Sequence, residues 1–209
     1  MEAQIGWNFP QRSFLETACR LSCYNRAMKT ALILIDIQND YFPGGKMELD
    51  KPLAAVQQAR RLLDFFRRQG WPTVRIQHIS TRPDATFFLP DTDGLNFHET
   101  IRPLPGEPVI LKHHPNSFRG TGLLKHLQGL NVDDLVICGM MTHMCVDATT
   151  RAAADFGYPV RLAADACATR ALAYGETQVP AQHVQAAFLA ALKSYGKVMS
   201  TEEILEQLM

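Results

Sequence analysis

"DLVICGMMTHMCVDATTRAAADFGYPV", residues 134–160, decides the fold. It opens on an uninterrupted apolar run, passes one glycine and a polar turn, enters an alanine-rich stretch of helical composition, and restarts as an apolar run after Pro159. Strand, helix and strand in so short a span can close only as a parallel pair joined by a crossover helix. The run "DLVICGM" does not alternate apolar with polar residues, which marks a strand buried on both faces of its sheet. Cys145 falls where the helix begins. There, Thr142 is read as a cap, and unpaired N–H groups together with the positive end of the helix dipole favour a thiolate.

The same pattern extends in both directions. "ALILIDI" (31–37), "PTVRIQHI" (72–79), "PVILKHH" (108–114) and "PVRLAADA" (159–166) read as further strands, with "KVMS" (197–200) as a short sixth. Helical spacing of Leu53, Val56, Leu63 and Phe66 predicts a helix over 50–70, capped by Asp50, with Pro52 in its first turn and Gly70 at its end. Other helices are predicted over 121–130, 144–157, 179–196 and 201–208. The fold class is α/β: a three-layer αβα sandwich, with a mostly parallel sheet of about six strands and helices on both faces.

Composition limits the function. Lysine plus arginine and aspartate plus glutamate both number 21 in 209 residues, so no net field favours nucleic acid or an anionic membrane, and the expected partner is a small molecule. No apolar run is long enough to span a bilayer, and the N-terminus lacks a secretory core, so a cytoplasmic location is expected. Five cysteines, Cys19, Cys23, Cys138, Cys145 and Cys167, show neither a disulfide framework nor a CxxC pair, as suits reduced thiols. Residues 1–27 carry scattered aromatics without a sustained period and read as a poorly ordered or loosely attached extension, with Met28 as a candidate natural start; residues 28–209 form the domain. A targeting peptide is the competing reading, opposed by Glu2 and Glu16.

Ligands of open parallel sheets bind beyond the carboxyl ends of the strands. Three reactive side chains fall there: Asp36 after the first strand, Lys112 at the third and Cys145 past the fourth. Each has a plainer reading. Asp36 alone could be a turn former, Lys112 a solvated rim charge, and Cys145, like Cys138 and Cys167, a small buried hydrophobe.

Taken together, "LILIDIQNDYF" (32–42), "VILKHHPNSF" (109–118) and "LVICGMMTHMCVDATTRAAADFGY" (135–158) resemble the isochorismatase-like cysteine hydrolases, which include nicotinamidases and related small-amide hydrolases. The resemblance covers roughly residues 30 to 205. It implies a catalytic triad of Asp36, Lys112 and Cys145, a cis peptide joining Met140 to Met141, and an oxyanion hole formed by the backbone amides of Met141 and Cys145. It also implies C–N hydrolysis of a small amide through a thioester on Cys145, and self-association as a homodimer or homotetramer. Tyr41, Phe42, Asn116, Phe118 and His143, adjacent to the triad motifs, are candidate substrate-binding residues. In the branch that cleaves a vinyl ether the cysteine is dispensable, so Cys145 favours amide chemistry. A non-catalytic module or a redox-sensing thiol at Cys145 are the alternatives from other classes.

Nicotinamidases of this family carry an Asp-x-His metal motif after the second strand. Here that segment contains His78 and His98 but no such motif, so no metal and no cofactor are expected. His113 and His114, adjacent in an expected strand, should face opposite ways. The long loop from about 80 to 107 reads as a lid, whose Phe87, Phe88 and Phe97 either line a pocket or meet a neighbouring subunit.

Overall fold

The computed structural model describes residues 28–209, and the expectation for residues 1–27 lies outside the described residues. The chain runs through β1 (Thr30–Ile35), α1 (Pro52–Gln69), β2 (Thr73–His78), β3 (Val109–Lys112), α2 (Leu123–Gly129), β4 (Asp134–Met140) and α3 (Asp147–Asp155). It continues with β5 (Val160–Ala168), a hairpin of β6 (Leu172–Tyr174) and β7 (Thr177–Val179), α4 (Ala181–Leu192), β8 (Lys197–Met199) and α5 (Thr201–Leu208). Six strands pair in the order β3-β2-β1-β4-β5-β8, every pair parallel.

The direction of each crossover decides which face its helix covers. The step from β1 to β2 runs one way along the sheet, and the steps from β4 to β5 and from β5 to β8 run the other. Right-handed connections therefore place α1 on one face and α3 and α4 on the opposite one. α5 packs against α1, and α3 against α4, which completes three layers. Every residue of β1 and β4 is buried, as their unbroken apolar runs require. Each fully buried leucine or isoleucine there contributes roughly 1.5–3 kcal/mol.

Several local expectations are corrected. α1 buries Ala55, Val56, Ala59, Leu62, Leu63 and Phe66 as one stripe, but Leu53, read with that stripe, is 50% exposed. Its N-cap is Lys51 with no side-chain cap, whereas the Asp50 backbone N–H donates to the Thr169 carbonyl. Pro52 and Gly70 stand where expected, Gly70 with a φ of 66° that suits a residue lacking Cβ. β3 is an edge strand, so its apolar run leaves Leu111 51% exposed. The strand ends at Lys112, so side-chain alternation does not extend to His113 and His114, and both border the same cavity. The β6–β7 hairpin was not foreseen, since each of its strands is only three residues long and pairs outside the main sheet.

Strand order reverses between β1, which leads to β2 on one side, and β4, which leads to β5 on the other. At such a switch point the following connections part to opposite faces and leave a crevice at the strands' carboxyl ends.

Candidate active site

Asp36 follows the last residue of β1, with a φ of 49° that lifts its side chain out of the strand pleat. Aspartate is among the few residues that adopt this left-handed region with tolerance. Lys112 closes β3, and Cys145 lies in a π-helical turn, Thr142–Val146, between β4 and α3. The predicted single helix over 144–157 is thus two pieces. Thr142 does not cap it: its hydroxyl donates to the Ala168 carbonyl. The peptide between Met140 and Met141 is cis, as the resemblance implied.

These distant segments converge. Lys112 Nζ stands 2.7 Å from Asp36 Oδ2 and 3.2 Å from Cys145 Sγ. All three side chains are buried. The same ammonium also meets His78 Nδ1 at 2.9 Å and donates to the His114 carbonyl at 3.0 Å.

Burial dominates the electrostatics. It pushes the Asp36 carboxyl up against the pull of Lys112. Burial alone would lower Lys112, but Asp36 and Cys145 outweigh it and hold the ammonium up. The Cys145 thiol is also pushed up, first by burial and then by the Asp36 carboxylate, with Lys112 opposing. The depressed thiol expected from a helix N-terminus is therefore corrected: the resting pair is thiol and carboxylate, because a second anion would add to one already in the pocket. A thiol within 4.8 Å of a carboxylate whose own affinity for protons is raised has a base at hand. Proton transfer between them moves charge without creating any.

His78 joins the cluster although the sequence placed it with core or rim residues. It ends β2 in register with Lys112. Its backbone N–H donates to Gln38 Oε1 and its carbonyl accepts from Gln38 Nε2, so a buried glutamine fixes the strand end. Burial, then the field of Lys112, lowers the imidazole to about 3, which keeps it neutral. Applying the strand-end rule to the second strand as well as the other three would have found it.

A cavity of about 520 Å³ opens beside the triad, bounded by Met47, His78, Phe87, Met141, His143 and Arg170 among others. A larger cavity of about 670 Å³ lies past Phe42 and His98; no triad residue lines either cavity, but the smaller one includes His78, which meets Lys112, and Met141 of the cis peptide. Among the candidate binding residues, His143 reaches the triad cavity, with Nδ1 2.5 Å from Thr169 Oγ1. Tyr41 is buried under the loop, its ring 4.6 Å from Phe88, and burial followed by the nearby Cys145 pushes its phenol well up. Phe42 faces the larger cavity and stacks on His98 at 4.0 Å. Asn116 accepts from the Phe118 N–H, and Phe118 packs on Phe156 at 5.1 Å, which are roles in the fold.

The loop 80–107 is tied down. Asp40 Oδ2 accepts the Phe88 N–H at 2.6 Å and Oδ1 accepts the Lys46 N–H at 3.1 Å, while Gln38 Nε2 donates to the Leu95 carbonyl. Gly94 passes so close that a Cβ there would lie 2.2 Å from the Asp40 carboxylate. Phe88 is fully buried against Tyr41 and His78, and Phe87 lines the cavity, so both rings serve this chain's own pocket.

A metal does not fit the triad. Asp36, His78 and Cys145 offer ligand atoms within 4.8 Å of one another. The Lys112 ammonium, however, stands 2.7, 2.9 and 3.2 Å from atoms of those same three residues, and occupies the position a cation would take.

Known proteins resemble this chain in sequence and fold. The Isochorismatase domain family model matches residues 30–203. An isochorismatase family protein of Bacillus subtilis (YddQ) is 51% identical over 180 residues, covering 86% of this chain and all of its own length. The crystal structure of an isochorismatase hydrolase from Oleispira antarctica, 47% identical, superposes with a TM-score of 0.83 over 87% of this chain and 98% of its own. A streptothricin hydrolase of Streptomyces noursei is 33% identical over 66% of this chain and 49% of its own length.

Proposed function

The chain belongs to the isochorismatase family of hydrolases, and on that premise we propose that it hydrolyses a C–N bond of a small amide through a thioester on Cys145. The observation that carries this reading is the convergence of Asp36, Lys112 and Cys145 around one buried ammonium, at 2.7 and 3.2 Å. The 33% identity to a streptothricin hydrolase agrees with it.

Asp36 takes the Cys145 proton as the sulfur attacks the amide carbon, and Lys112 stays beside both partners while the negative charge passes from carboxylate to sulfur to carbonyl oxygen. The oxyanion is received by the backbone N–H groups of Met141 and Cys145, at either end of the segment formed by the cis peptide and the π-helical turn. Loss of one such donor costs on the order of 3 kcal/mol of barrier. Asp36, now protonated, gives its proton to the departing nitrogen as the C–N bond breaks. Water, deprotonated by Asp36, then attacks the thioester, and the carboxylic acid and free thiol are restored. Because the resting cysteine is a thiol with its base already in place, this reading is favoured over a redox sensor, which needs an exposed thiolate.

The test is ammonia or amine release across a panel of small amides, carbamoyl compounds and ureides. The native protein turns over at least one, Cys145→Ala and Asp36→Asn lose it, and rapid quenching reveals an acyl adduct on the Cys145 peptide. Hydrolysis that survives both substitutions overturns the assignment.

A further inference from the structure

We propose that Arg170 is the specificity-determining residue of the cavity beside the triad, and that the amide hydrolysed there carries a carboxylate a few bonds from its scissile carbonyl. The inference rests on Cys145 as the nucleophile and adds what the substrate must present to the opposite side. Arg170 lies two residues past the end of β5, at the same carboxyl edge of the sheet as Asp36, Lys112 and Cys145. In the strand order β1-β4-β5 the nucleophile stands between the other two, so a negative charge held by Arg170 is kept off Asp36.

The end of β5 is stitched to the turn that carries Cys145. The Thr142 hydroxyl donates to the Ala168 carbonyl at 3.2 Å, and His143 Nδ1 meets Thr169 Oγ1 at 2.5 Å. From the other side, the Asp50 N–H donates to the Thr169 carbonyl at 2.8 Å. The backbone that leads into Arg170 is thereby fixed relative to the nucleophile. Neighbouring strands stand about 4.8 Å apart, so a guanidinium rooted past β5 and a sulfur just past β4 can serve two groups of one small molecule.

The Arg170 side chain borders the cavity and is held there weakly. Nη1 donates to the Met47 sulfur at 3.0 Å, and no carboxylate pairs with the guanidinium among the described residues. A guanidinium has five N–H donors and a thioether is a weak acceptor, so most of that capacity is left for a ligand. The other arginine of the cavity, Arg82, is paired with Asp84 at 3.2 Å, and Asp84 is the only carboxylate among the lining residues described. His78 and His143 add no charge: burial first, then the field of Lys112 on the one and of Arg170 on the other, holds both imidazoles below their ordinary value. The cavity thus carries one uncompensated positive charge. A single guanidinium balances a single charge, and its planar fork matches the two oxygens of a carboxylate. Phe87, Met141 and Met144 supply an apolar wall for the methylenes between carboxylate and amide.

The test measures binding to Cys145→Ala by calorimetry, so that no turnover intervenes. Three matched pairs are used: malonamate against isovaleramide, succinamate against isocaproamide, and ureidoacetate against isobutylurea, two methyl groups replacing the carboxylate oxygens in each. At least one anion binds on the order of 10- to 100-fold tighter than its neutral partner, the range of a hydrogen bond to a charged group. Arg170 is exposed, so Arg170→Gln leaves the core intact; added to Cys145→Ala it abolishes the preference and leaves the affinity for the neutral partner unchanged. With Cys145 present, Arg170→Gln raises KM for the anionic amide and changes kcat little, as expected when binding common to substrate and transition state is removed. Neutral partners that bind as tightly as the anions, anions that do not bind at all, or a preference that survives Arg170→Gln would each overturn the proposal. The two readings fail separately. An Arg170-dependent preference with no amide turned over by the native protein sinks the thioester reading alone, and turnover without any preference for the anions sinks the role of Arg170 alone.

Discussion

Replacing Lys112 by methionine keeps the length of the side chain and removes the charge beside Asp36. Both side chains are buried, with 2.7 Å between nitrogen and oxygen, so the substitution strands a carboxylate away from water. The carboxylate escapes by binding a proton, and that escape sets the size of the effect. A carboxyl with an unfolded value of 3.8 that is forced to hold its proton at pH 7 costs about 1.4 kcal/mol per unit over roughly three units, or about 4 kcal/mol. For a domain of this size that corresponds to roughly 10 °C in Tm. The sign follows from the raised folded value. The penalty is absent below the unfolded value, grows as pH rises through neutrality, and stops growing only above the folded value. Urea unfolding of Lys112→Met at a series of pH values should therefore show a slope of about 1.4 kcal/mol per unit, steeper than the wild type, while Lys112→Met/Asp36→Asn recovers most of the stability and loses the slope. A loss that is the same at every pH, or a double variant as unstable as the single one at neutral pH, would refute the buried pair as the source.

Glu107 gives the opposite pH sign: its hydrogen bond from Arg67, aided by the Leu104 N–H and Arg75, lowers its carboxyl to about 2 from 4.5. Its stabilising contribution is present above 4.5 and fades as pH falls toward 2, and Glu107→Gln, which leaves the buried Arg75 without that counter-ion, costs about 3 kcal/mol in chemical denaturation at neutral pH. Gly94→Ala drives a methyl into the Asp40 carboxylate, so the loop that carries Phe87 and Phe88 is cut faster by protease, and stability falls by about 1–3 kcal/mol. Exhaustive chelation leaves amide turnover unchanged, since Lys112 stands where an ion would bind; loss of activity restored by zinc would contradict this.

Periodicity carried the architecture well because a two-sided sheet forces unbroken apolar runs on its central strands. β1 and β4 were legible to within a residue or two for this reason. β3 was found as a strand yet misjudged in burial, because edge and centre differ in what lies alongside, which no local pattern records. The hairpin β6–β7 escaped because strands of three residues are too short to show a period. At the site, strand-end placement brought out Asp36, Lys112 and Cys145. The state of the thiol was misread because helix-terminus reasoning weighs local dipoles, whereas the dominant influences are burial and a carboxylate more than a hundred residues away in sequence. His78 was passed over for a related reason: its partner is the ammonium of a neighbouring strand, visible only once β2 and β3 are in register.

The left-handed backbone at Asp36 limits what can ever occupy that position. Side-chain chemistry and main-chain shape are there selected by a single residue. Alanine or glutamate would disturb the path of the chain as well as the acid–base group, and their effects would mix the two. Asparagine shares both the outline and the conformational tolerance of aspartate, and it is the substitution whose consequences can be assigned to the missing charge alone.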